Sequence, residues 1–126
     1  MTAASETRRA AERRGRRAET FVAWYLRAKG YRVLARRLKT PVGEIDLIVR
    51  RGRTVAFVEV KHRPSEAEAS EATTPAAQRR IARAASYWLA RHPGAAAADF
   101  RFDVVVSVPG RLPRHIMAAF DAAGAT

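Results

Sequence analysis

The chain of 126 residues contains no cysteine, which removes disulfide staples, thiolate zinc sites and a cysteine nucleophile together. Its three histidines, His62, His92 and His115, lie far apart without ligand-like spacing, so histidine-based zinc or nucleophilic chemistry is not indicated either. No apolar run approaches the roughly 20 residues that cross a bilayer, and the opening "MTAASETRRAAERRGRRAET" is too polar for a signal peptide. These absences lead to the expectation of a reducing, cytoplasmic setting. There is no glycine-rich phosphate loop and no internal repeat. Negative charge is scarce: 12 Asp and Glu stand against 24 Lys and Arg, a formal net charge of +12. Such a field attracts polyanions, nucleic acid first and an anionic membrane surface second. Joint richness in Ala and Arg is also what G+C-rich coding imposes, so charge alone does not decide between partners.

What is present fits a single domain with its own core. Ala18, Phe21, Val22, Tyr25 and Leu26 recur at i, i+3, i+4, i+7 and i+8, which predicts a helix over 8–29 that Gly30 stops. Its Arg-rich first turns are almost wholly polar, so they are either a frayed basic arm or a solvated helix extension; partial order is expected from about Gly15, with 1–14 a flexible basic arm, 15–120 the domain and 121–126 a tail. "YRVLARRL" alternates as a strand, and Pro41-Val42-Gly43 marks a turn. "EIDLIVR" and "TVAFVEVKH" follow, rich in β-branched residues and joined through Arg50-Arg51-Gly52-Arg53, a hairpin pattern. Their middles are apolar on both faces, which predicts a sheet covered on both sides. "RPSEAEASEATT" has no periodicity and reads as a mobile surface loop.

Thr74-Pro75 then has the form of an N-cap with proline at the first helical position, and Ile81, Ala84, Ala85, Trp88 and Leu89 share one face of the helix that follows. His92-Pro93-Gly94 ends it. "DFRFDVVVSV" is a fourth strand, and "RHIMAAF" is either a short strand or a helical turn. The order α-β-β-β-α-β predicts an α/β domain with a mixed central sheet of about four strands flanked by helices.

The hairpin carries charge where a core is expected. Glu59 and Lys61 are two apart and leave one face of their strand. With an even number of loop residues, counted over Arg50–Arg53, Asp46 lies opposite Phe57 on that same face. It is then a diagonal neighbour of Glu59, roughly 7–8 Å away between α-carbons, whereas an odd loop turns it to the other face. Two carboxylates that close repel unless one is protonated or a cation lies between them. All-oxygen ligation suits Mg²⁺ or Mn²⁺, and an adjacent ammonium can orient a water nucleophile and stabilise charge growing on phosphate. A structural ion-pair cluster of Asp46, Glu59 and Lys61 is the other reading of the same residues.

"GEIDLIV" followed by "FVEVKHR" resembles the signature of the YraN-like family of small bacterial proteins, a variant of the PD-(D/E)xK nuclease motif. The likeness extends over about 15–120 and takes in Gly15, Glu19, "QRRI", "RFDVV" and "HIMAAF". It implies a restriction-endonuclease-like fold related to Holliday-junction resolvases, and a metal-dependent endonuclease acting on DNA ahead of RNA, on branched or repair intermediates. A non-catalytic nucleic-acid-binding protein of the same fold is the alternative. By the same resemblance Asp46 and Glu59 are metal ligands with the Val60 backbone carbonyl, Glu19 is the helix carboxylate that approaches the metal, and Lys61 is the catalytic lysine. Gln78 matches the polar residue of the second helix that faces the site. A homodimer is expected from likeness to resolvases, which cut symmetric junctions. Ala77, where a lysine is common, Arg37, where an asparagine is frequent, and a loop after Arg63 without its usual glycine depart from the pattern.

Arg8, Arg9, Arg13, Arg14, Arg16 and Arg17 form the densest basic block. Arg16 and Arg17, with Arg63 after the hairpin and Arg79 on the second helix, are the candidates for phosphate contacts. Asp103 reads as a pairing or capping residue, and Trp24 and Trp88 fit helix packing better than base stacking, although Trp24 lies off the main apolar stripe and is open to exposure.

Overall fold

A computed structural model describes residues 3–65, 67, 72–96 and 98–121. The elements are α1 (Ala3–Ala28), β1 (Arg32–Thr40), β2 (Gly43–Arg51), β3 (Thr54–His62), α2 (Pro75–Arg91), the one-turn α3 (Pro93–Ala96), β4 (Asp99–Ser107) and β5 (Arg114–Phe120). They form one five-stranded mixed sheet in the order β1-β2-β3-β4-β5. β3 and β4 are parallel and every other neighbouring pair is antiparallel, so α2 lies in the crossover that returns the chain to the same end of the sheet. The expected α/β class is borne out with one strand more. "RHIMAAF" is that strand, antiparallel to β4. No helix among the described residues is long and apolar enough to cross a membrane.

Both faces of the sheet are covered, as the two-sided apolar strands require. Ile48, Val55, Phe57 and Phe102 pack under Ile81, Ala84, Ala85 and Trp88 of α2. On the other face Leu47, Val49, Ala56, Val58 and Val105 pack under Val22, Ala23 and Leu26 of α1, with Tyr31. Phe57 is fully buried and meets Trp88, Phe100 and Phe102 ring to ring. α2 starts as expected, Thr74 Oγ1 accepting the Ala77 N–H at 3.2 Å with proline in the first turn. It ends at Arg91, where the His92 N–H closes onto the Leu89 carbonyl.

α1 departs from expectation at its start. It is helical from Ala3, so the Arg-rich turns assigned to an arm are a helix extension in which no residue before Ala18 is buried. Alanine, arginine and glutamate are strong helix formers, and continuing an existing helix avoids the cost of a new nucleus. Met1, Thr2 and most of the tail, 122–126, lie outside the described residues, as does much of "RPSEAEASEATT".

β5 is fastened by a buried polar network. Asp103, fully buried on β4, accepts from Arg101 Nε at 2.9 and 3.1 Å, from His115 Nε2 at 2.7 Å and from the Ala118 N–H at 3.0 Å. Lys29 Nζ lies 2.7 Å from His115 Nδ1, so the ring accepts there and donates its Nε2–H to Asp103. Arg101 continues to the Tyr31 hydroxyl, joining the end of α1 to β4 and β5. Burial alone would raise the Asp103 carboxyl, but His115, Arg101 and the Ala118 N–H hold it below the usual carboxylate range. The pairing or capping role expected of Asp103 is both at once.

Candidate active site

The β2–β3 hairpin turns through two residues, Gly52 and Arg53, with Arg51 paired to Thr54. Gly52 has φ 60°, the left-handed backbone that a glycine-first two-residue connection uses. The loop is even, as a shared face requires, but shorter than the Arg50–Arg53 count. Ile48 therefore opposes Phe57, and the continued register aligns Asp46 with Glu59 itself rather than with Phe57. The diagonal placement of Asp46 is thus corrected to a direct one.

The pairing stops at Leu47↔Val58, one step short of the acidic pair. Past the end of that pairing, the Val60 N–H donates to the Asp46 side chain, Oδ2 at 2.7 Å, while Val60 still pairs with Val105 of β4. Residues two apart on a regular strand share a face. Ile45 nevertheless joins the cluster under α2 while Leu47 joins the one under α1, so β2 rotates about its axis at Asp46. On the far side of β2 the β1 partner position is Arg37, at φ 46°. This left-handed geometry suits the asparagine that the resembled pattern favours there. Arg37 Nε lies 3.6 Å from Glu19 Oε2, which brings the α1 carboxylate over the same opening.

Four of the expected residues are thus gathered from three elements: Glu19 from α1, Asp46 from β2, Glu59 and Lys61 from β3. Burial, first, pushes the Asp46 carboxyl up to about 6 from its ordinary 3.8; the Val60 N–H opposes this, and the charges of Glu19, Glu59 and Glu44 add to it. Burial also raises Glu19, against Arg37, Arg36 and Arg16, with Glu44 adding to the rise. Lys61 is buried, and its Nζ is 3.5 Å from Glu59 Oε1. The second oxygen, Glu59 Oε2, accepts from Thr73 Oγ1 at 3.0 Å, and Gln78 Nε2 donates to the Thr73 carbonyl at 2.9 Å. Gln78 therefore holds the segment that holds Glu59.

A groove opens beside the pair, lined by Gly43, Glu44, Asp46, Glu59, Ala77 and Arg80 among others. Arg80, and not Arg79, is the α2 arginine on that lining. A β-carbon on Gly43 would meet the Arg80 carbonyl oxygen at 2.5 Å, so glycine is what lets α2 close on β2 here. Arg63 is tied to backbone, its N–H to Ser107 O at 2.9 Å and its guanidinium to His62 O at 3.0 Å. Arg16 and Arg17 are exposed on α1. Sequence reasoning missed Glu44, Arg80 and Thr73. Glu44 sits inside the quoted "GEIDLI" and was open to notice, whereas Thr73 and Arg80 reach the site only through the crossover.

For a divalent cation the donor chemistry fits: oxygen only, from carboxylates whose mutual repulsion a cation relieves. Glu19 Oε2 is buried with no hydrogen-bond partner. The side chains are not drawn in around a point, and among the described residues no group of three or more acidic, histidine or cysteine side chains could hold a metal as positioned.

A mixed sheet with helices on both faces is a restriction-endonuclease-like fold, and its acidic groove lies where the central hairpin opens. The chain belongs to the family described as "Uncharacterised protein family UPF0102", which matches residues 18–107. This is the YraN-like family that the hairpin motif resembles. A UPF0102 protein of Parvibaculum lavamentivorans is 59% identical over 111 residues, covering 88% of this chain and 84% of the relative. Another, of Bradyrhizobium diazoefficiens, is 54% identical over 119 residues, covering 94% and 90%. A third, of Rhodopseudomonas palustris strain BisA53, is 53% identical over 113 residues, covering 90% and 87%.

Proposed function

We propose that this chain is a metal-dependent endonuclease that hydrolyses DNA phosphodiester bonds, with Mg²⁺ or Mn²⁺ as cofactor and branched or repair intermediates as substrate. The observation that carries the reading is the gathering of Glu19, Asp46, Glu59 and Lys61 from three elements where the hairpin opens, a crowding of carboxylates that, with burial, raises Asp46. In a chain of net charge +12 that concentration of carboxylates is where a divalent cation would relieve their mutual repulsion.

Asp46, Glu59 and the Val60 carbonyl would hold the cation, with Glu19 approaching from the helix. When bound, it supplies Lewis-acid polarisation of the scissile phosphate. Lys61, buried with its ammonium beside Glu59, would orient the attacking water and offset charge on the phosphate oxygens. Thr73 and Gln78 fix the Glu59 rotamer. Arg80 at the groove, and Arg16 and Arg17 on α1, bring in the phosphate backbone.

One observation favours a second reading, a nucleic-acid-binding protein without turnover: Asp46 is satisfied by the Val60 N–H and Glu59 by Lys61 and Thr73, with no cation needed for either contact. The test is cleavage of linear and four-way-branched DNA in Mg²⁺, Mn²⁺ or EDTA, comparing wild type with Asp46→Ala and Glu59→Ala. Cleavage that depends on metal and on both carboxylates supports the enzyme. Binding without cleavage, unchanged in the variants, favours the second reading.

A further inference from the structure

Trp24 is 64% exposed and Phe21 49% exposed, while the other tryptophan, Trp88, is buried at 5%. Successive turns of one helix bring i, i+3 and i+7 together. Phe21 and Trp24 are therefore neighbours on α1, Trp24 opposite the buried stripe of Ala18, Val22 and Leu26 and Phe21 at its exposed flank. Arg17 lies in line with both, and Arg13 and Arg14 lie one turn before it, all exposed. From Arg13 to Trp24 the ridge rises about 16 Å. The Arg27 guanidinium sits 4.8 Å from the Trp24 ring centroid, so one cation is already against the indole. Phe21 also borders a shallow depression with His62, Pro109 and Leu112, and Leu112 is 80% exposed. His62 follows Lys61 on β3, so the depression backs onto the strand that carries the proposed catalytic lysine.

Large exposed aromatic rings on a monomer mark a surface that something covers. Here their borders are cationic, which argues for a polyanion over a neutral protein face. A duplex supplies phosphates but hides the faces of its bases. An unpaired strand supplies both, and base-on-aromatic stacking within a basic track is how such strands are held without sequence preference.

We propose that the outer face of α1 is a docking platform for single-stranded DNA, with phosphates on Arg13, Arg14 and Arg17 and an unstacked base on Trp24, Phe21 extending the apolar floor. The proposal rests on the nucleic-acid reading above and deepens it: the preferred substrate carries an unpaired segment next to the bond that is cut.

The test is fluorescence anisotropy of labelled oligo(dT), an abasic strand of equal length and a blunt duplex, with wild type, Trp24→Ala and Trp24→Phe. Quenching of Trp24 emission, followed in a Trp88→Phe background, is the second measurement, repeated with phosphatidylglycerol vesicles. Expected is quenching by oligo(dT), a loss of oligo(dT) affinity in Trp24→Ala of about 5- to 150-fold, recovery of much of it in Trp24→Phe, and no such loss for the abasic strand or the duplex. Oligo(dT) binding that ignores Trp24→Ala, an equal loss with the abasic strand, or quenching by vesicles alone would overturn the platform while leaving the nuclease reading in place. Failure of the wild-type chain to bind any of the DNAs would remove the nucleic-acid reading as well.

Discussion

Replacing Asp46 by asparagine removes a charge that the fold holds at a disadvantage and keeps an oxygen for the Val60 N–H. The folded carboxyl titrates at about 6, above its ordinary 3.8, so the folded state binds this proton more tightly than the unfolded chain. Stability is therefore lost as pH rises from about 4 through about 6, and above that window the full cost is present. At about 1.4 kcal/mol per pH unit the gap sets a ceiling of roughly 3 kcal/mol. Partial exposure of Asp46 to water screens this, and about 1–2 kcal/mol is the expected gain from Asp46→Asn at pH 8. Urea denaturation of both proteins in EDTA from pH 4 to pH 8 measures it. The variants should converge near pH 4 and separate above pH 6, with asparagine the more stable. Mn²⁺ should then raise the melting temperature of wild type more than that of Asp46→Asn, since a ligand stabilises the state that binds it. A less stable variant at pH 8, or a difference that does not change with pH, would refute the reasoning.

Two further perturbations address what positions the site. Asp103→Asn breaks a buried charge-paired network and should destabilise the fold by about 3–5 kcal/mol at pH 7. Because Asp103 is held below its ordinary 3.8, its contribution should be intact at neutral pH and fade as pH falls through that lower value, an acid limb that thermal melts of the variant should lack. Gly43→Ala drives a β-carbon into the Arg80 carbonyl and should cost about 1–3 kcal/mol by urea titration, with α2 displaced from β2 and cleavage reduced through the groove.

Much of this fold was legible because its elements announce themselves locally. The Ala18–Leu26 stripe, the Thr74-Pro75 cap and the two-sided apolar strands each depend on neighbours within a few residues, and each is found where expected except at Phe21, which the stripe included and which is 49% exposed, its place in the buried face taken by Ala23. The same locality made "GEIDLIV" and "FVEVKHR" readable as one site. What escaped depends on geometry that a pattern does not encode. Turn length was miscounted because Arg50 and Arg51 have no apolar signal to show that they still pair with Val55 and Thr54. The rotation of β2 at Asp46 follows from the end of pairing at Leu47, a tertiary event. The His115–Asp103–Arg101–Tyr31 chain joins residues up to 70 apart in sequence within one bond, and only the assembled sheet brings them together.

Lys61→Ala separates chemistry from assembly more cleanly than the carboxylate variants, because lysine is not a proposed metal ligand. Single-turnover cleavage of a labelled four-way-branched DNA in Mn²⁺, with binding of the same DNA measured alongside, is the most direct test of the nuclease claim. Expected is Mn²⁺-dependent cleavage by wild type and a loss of about 100-fold or more in Lys61→Ala, at an affinity close to that of wild type. Cleavage by Lys61→Ala at the wild-type rate, or a wild-type protein that binds the DNA and leaves it whole in Mn²⁺, would contradict it.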